Sequence, residues 1–144
     1  MADEFNLNRF VSAQAPEYDA ALRELDAGEK TSHWMWFVFP QLRGLGRSST
    51  ARFYGIASEA EASAYWRHPV LGARLAKCCT AVLRIKGKTA LEVFGSPDDM
   101  KLKSSMTLFE RAIPDEPVFA QVLGRYFDGR RDARTLELLG GPKN

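Results

Sequence analysis

The chain predicts an all-α fold: a single compact orthogonal helical domain of about seven to nine helices, covering residues 1–144. Three observations carry that expectation. Capping signals precede one apolar run after another, apolar residues recur at the helical period, and no run alternates apolar and polar residues long enough to demand a sheet. A chain of 144 residues forms one core by default and needs neither disulfide nor structural metal to do so.

The elements follow in order. Phe5 and Phe10 flank Asn6 at the spacing of a hydrophobic staple around a cap, opening a short helix whose Leu7, Phe10 and Val11 share a face. Pro16 starts a second helix with Tyr18, Ala21, Leu22 and Leu25 inward, and Gly28 ends it. Ser58 and Glu61 form a capping-box pair for a helix that stops near His68, because Pro69 disfavours helical geometry in the residue before it. Beyond Pro69, the residues Leu71, Leu75, Cys78, Val82 and Ile85 lay one apolar stripe along a long helix ending before Gly87. Residues 89–94 read as a short helix closed by Gly95. Ser96 caps the next, with Pro97, Asp98 and Asp99 in its first turn and Leu102, Met106, Phe109 and Ile113 inward. Glu116 and Pro117 open a helix carrying Phe119, Val122, Leu123, Tyr126 and Phe127, and residues 132–139 form a last one ended by Gly140. The segment "HWMWFVF", residues 33–39, is continuously apolar, so its pattern fits a buried helical turn or a strand. A cap at Thr31 or Ser32 and the want of a partner strand favour helix.

Composition narrows the function classes. The formal charge of +2 and pI near 8.6 come from interspersed acids and bases with only short basic runs, which argues against a nucleic-acid partner. The N-terminal residues are acidic and polar, unlike a secretory signal, and the longest apolar stretch, residues 34–39, is too short to span a bilayer. A cytoplasmic location with no membrane partner is expected. Cys78 and Cys79 are adjacent, a poor disulfide geometry, and with two distant histidines they make a poor zinc signature; packed reduced thiols and no metal are expected. His33 and His68 sit beside a cap and a proline and read as local hydrogen-bonding residues. Phosphate loop, dinucleotide fingerprint and nucleophile elbow are missing, so no cofactor is implied.

Two stretches carry the candidate chemistry. In "SHWMWFVFPQLRGLG", residues 32–46, an aromatic half is followed by an irregular polar loop. Arg43 and Arg47 suit phosphate or carboxylate, Gln41 donates and accepts, Gly44 and Gly46 let a backbone approach a ligand, and Trp34 and Trp36 offer stacking faces. In "GSPDDMKLKSSMTLF", residues 95–109, Asp98, Lys101 and Ser105 fall on one helical face, and the hydroxyls of Ser104, Ser105 and Thr107 are unusual in so strong a helical run. A pocket shared by Arg43 with Asp98, Lys101 and Ser105 would use both stretches.

The phrases "SHWMWFVFPQLRGLGRSSTARFYGI", "YWRHPVLGARL" and "FGSPDDMKLKSSMTLF" resemble the signature blocks of a bacterial family designated domain of unknown function 1810, often mislabelled calpastatin. The resemblance covers nearly the whole chain. It implies a compact, mainly helical, cytoplasmic domain and brings no activity with it. The phrase "SPDD", residues 96–99, is also similar to one in the superfamily of N-glycosidases acting on riboflavin-pathway intermediates and ADP-ribose conjugates. There, such a phrase precedes a helix that contributes to the ligand site. Met100, Lys101 and Leu102 stand here in place of that superfamily's following tryptophan and glycines.

The functional expectation is a pocket for a nucleotide-like or phosphorylated ribosyl ligand, extending to N-glycosidic hydrolysis. Asp98 or Glu92 would stabilise positive charge developing on the sugar and orient water. Arg43 and Lys101 would hold phosphate while Trp34 or Trp36 stacks the base. The alternative is a non-catalytic interaction module whose aromatic segment binds a protein partner, of unknown identity, or builds the core.

Overall fold

The computed structural model describes residues 3–140, so the two ends of the expected domain lie outside the described residues. Among the described residues ten helices follow one another: α1 (Asn8–Gln14), α2 (Tyr18–Ala27), α3 (Met35–Val38), α4 (Ser49–Phe53), α5 (Glu59–Arg67), α6 (Leu71–Arg84), α7 (Ala90–Phe94), α8 (Asp98–Ala112), α9 (Val118–Phe127) and α10 (Ala133–Leu138). Among the described residues there is no strand, only an isolated parallel bridge between Leu42 and Ile56. The fold is all-α. The helix beyond the expected range is α4, whose Ser48 cap accepts from the Ala51 amide in a segment that reads as loop.

At the centre lies α8, with α5, α7, α9 and α10 packed around it; α6 packs against α2, α5, α9 and α3, and α1 sits on α3. The stripe Leu71, Leu75, Cys78, Val82 and Ile85 is buried as its spacing predicts. Helix α8 buries more than one stripe: Ser104, Ser105, Thr107 and Leu108 join Leu102, Met106 and Phe109 in the interior. A helix surrounded by neighbours needs small side chains where they approach. Ser104 and Thr107 satisfy their hydroxyls on the carbonyls of Met100 and Lys103, one turn back, at 3.1 and 2.8 Å.

Several helix starts are built differently from their sequence signals. Asn6 does not cap α1; the Asp3 carboxylate accepts from the Leu7 and Asn8 amides instead. Neither Thr31 nor Ser32 caps α3, because the Ser32 hydroxyl donates to Glu24. Ser96 does not cap α8, whose first flanking residue is Pro97 after a cis peptide bond. Ser58 does accept from the Glu61 amide, but Glu61 reaches past it to Ala57 and to Arg9, so only half the capping box forms. His68 works locally as expected: its Nδ1 accepts from the Val70 and Leu71 amides at the start of α6. No helix of the described residues is long and apolar enough to cross a membrane.

Candidate functional site

The aromatic half of residues 32–46 is core. Trp34, Met35, Phe37, Val38 and Phe39 are buried, and Trp34 is completely so, its Nε1 donating to Glu24 at 2.9 Å. Trp34 is therefore an anchor rather than a stacking face, and only Trp36 remains half-buried. The loop beyond Pro40 is pinned at its base: the Arg43 amide donates to Ile56 at 2.7 Å and the Ile56 amide to Gln41 at 3.0 Å. Its glycines serve this tight fold. A Cβ on Gly46 would stand 2.5 Å from that of Ala51, and one on Gly55 would stand 2.8 Å from the Arg43 Cα.

Trp36 and Gln41 from this segment meet Lys101 of α8 in one small cavity, closed by Tyr54 and Gly55, with ≈ 10 Å³ of free space. That is room for about one water. The Lys101 Nζ lies 4.7 Å from the Trp36 ring centre, within cation–π range. It is also 3.7 Å from Asp98 Oδ1, while Lys30 holds Asp98 Oδ2 more closely, at 2.7 Å. Lys30 donates in addition to the Ser32 carbonyl and lies 5.0 Å from the Trp34 ring. Two ammonium groups thus surround one carboxylate between two indoles.

Glu24 secures the segment that carries Lys30 and Trp34. Burial opposes its charge, yet hydrogen bonds from the Ser32 hydroxyl, the Thr31 amide, the Trp34 indole and the Ser32 amide outweigh it and hold the carboxyl at about 2.

The remaining candidates fall elsewhere. Arg43 lines a different cleft, whose walls include none of Asp98, Lys101 and Ser105. Ser104 and Ser105 are packed in the core around α8, 6% and 0% exposed. Glu92 completes a capping box with Thr89, accepting from its amide at 2.8 Å. Arg47 is exposed and lines neither cavity. Lys30 and Glu24 carry no signal in sequence, since their partners Asp98 and Trp34 are brought to them by the packing of separate segments.

A compact all-helical domain with this site is the class of molecule the geometry defines. The chain belongs to the family described as protein of unknown function (DUF1810), which matches residues 4–139. It is similar to a solved structure, the conserved hypothetical protein Rv1873 from Mycobacterium tuberculosis, at 52% identity and a TM-score of 0.95, covering 97% of this chain and 100% of that one. No curated protein matches.

Proposed function

We propose that the domain binds a nucleotide-like or phosphorylated ribosyl ligand at Trp36, Gln41, Lys101 and Asp98. The observation that supports this reading is convergence: residues from two separate sequence blocks line one cavity beside a charge cluster. Lys101 is held by Asp98 at the outer limit of an ion pair, so it can turn to a phosphate or carboxylate, while Lys30 keeps Asp98 in place. Trp36 offers its face to a planar ring, and Gln41 supplies a donor and an acceptor. Entry requires Tyr54 and Gly55 to move away from Trp36, because the closed cavity admits only one water.

Hydrolysis extends the same reading. Once Lys101 turns to the ligand's phosphate, Asp98 Oδ1 faces the sugar, where a carboxylate stabilises charge at the anomeric carbon and orients water. The similarity of "SPDD" to the N-glycosidase phrase supports this step. Glu92 has no part in it, being engaged in the α7 cap.

The test is a thermal-shift titration with ribose 5-phosphate, ADP-ribose, NAD and riboflavin precursors. A ligand that fits raises the melting temperature, and the rise grows with the logarithm of its excess over the dissociation constant. Lys101→Ala and Gln41→Ala should abolish that rise. Failure of every probe at millimolar concentration removes the proposal. Base release from a bound conjugate, lost in Asp98→Asn, separates an enzyme from a binding domain.

A further inference from the structure

We propose that a second cleft, between the segment leading into α1 and helix α4, is a site for a small phosphate monoester carried on a planar ring. The cleft has a volume of ≈ 470 Å³, within the range of small-molecule sites. Its walls include Asn6 on one side and Arg43, Ser49, Arg52 and Phe53 on the other, and no carboxylate lines it.

Arg9 builds the cleft without serving as its anion receptor. Its Nε donates to the Phe53 carbonyl at 2.7 Å, Nη1 to Phe5 and Asn6 at 2.6 and 2.9 Å, and Nη2 to Gly55 at 3.0 Å and to Glu61 at 2.6 Å. Every N–H is engaged, and Glu61 cancels the charge. Arg9 therefore ties one wall to the other. Arg43 and Arg52 are exposed and, among the described residues, neither is in an ion pair. A hydrogen bond from Arg43 Nη2 to the Gly55 carbonyl, 3.1 Å, orients its guanidinium. Two uncompensated guanidinium groups on one concavity repel each other, and an anion between them reverses that cost. The planar fork of arginine fits phosphate oxygens in pairs. Ser49 and Asn6 add hydrogen-bonding side chains at the rim. Phe53, 52% exposed and edge-on to Tyr54, leaves a flat apolar face beside the arginines, which suits a ring attached to the phosphate.

This site shares only the Gly55 backbone with the Trp36 cavity and stands whether or not that cavity takes a ligand. Calorimetric titration of the full chain with AMP and with inorganic pyrophosphate tests it. Both should bind the wild type. Arg43→Ala and Arg52→Ala should each weaken both ligands by about tenfold or more, as loss of a charge-assisted hydrogen bond does. Phe53→Ser should weaken AMP and spare pyrophosphate. Arg23→Ala, an exposed arginine on α2, should change neither. Circular dichroism establishes that each variant is folded. Absence of binding at millimolar AMP, or an equal loss in Arg23→Ala, overturns the site. A short RNA that binds more tightly per phosphate than AMP overturns its assignment to a small ligand.

Discussion

Individual side chains divide into those whose environment is local and those whose environment is assembled. Glu92 is local: its capping box spans residues 89–92 and the pattern is readable in the sequence, although a catalytic role competes with it until the cap is seen. Arg9 is assembled, because its partners Phe53, Gly55 and Glu61 lie more than forty residues away. Arg9→Met should destabilise the domain by about 3–5 kcal/mol in urea unfolding, because it leaves the buried Glu61 charge unpaired. Gly72 shows propensity overruled by packing. Alanine is the better helix former by about 1 kcal/mol, but a Cβ here would lie 1.9 Å from the Trp66 carbonyl oxygen. Gly72→Ala should therefore lower stability by roughly 1–3 kcal/mol in the same measurement; an increase would show that α5 and α6 can separate freely.

At the scale of elements, periodicity is reliable where a helix has one buried face. On α6 the stripe is correct, and Leu75→Ala, at a site 1% exposed, should cost about 2–5 kcal/mol. Helix α8 has neighbours all round, so its inward and outward residues do not separate by period. Ser104 and Ser105 then resemble a ligand face while belonging to the core. The connection between α2 and α3 gives a pH dependence. Glu24 falls from an ordinary 4.5 to about 2 in the folded chain, so the unfolded chain binds its proton first as pH drops. Its contribution is complete above pH 4.5, declines below it and is gone near pH 2. Glu24→Gln should remove that part of the acid sensitivity, read from unfolding midpoints between those two values.

For the whole molecule, the expected packed thiols give a direct check on the integrity of the core. Cys78 and Cys79 are both free and buried; burial pushes the first up to about 12 and the second well above its ordinary value. A thiol reagent at pH 8 should label the native domain only as fast as it opens, and rapid labelling would mean a loose interior. The sequence by itself determined the all-α class, the succession of most helices, the buried stripe of α6 and the family, because caps, breakers and apolar period act within a few residues. The two candidate sites were only half legible. Trp36, Gln41, Arg43, Asp98 and Lys101 stand out as residue types, but which of them meet is a matter of how distant segments pack. Tertiary structure alone buried Ser105, gave Asp98 to Lys30, and set Arg43 and Arg52 on one cleft. Contacts between distant segments are selected by the burial of the whole core, and no local spacing encodes them.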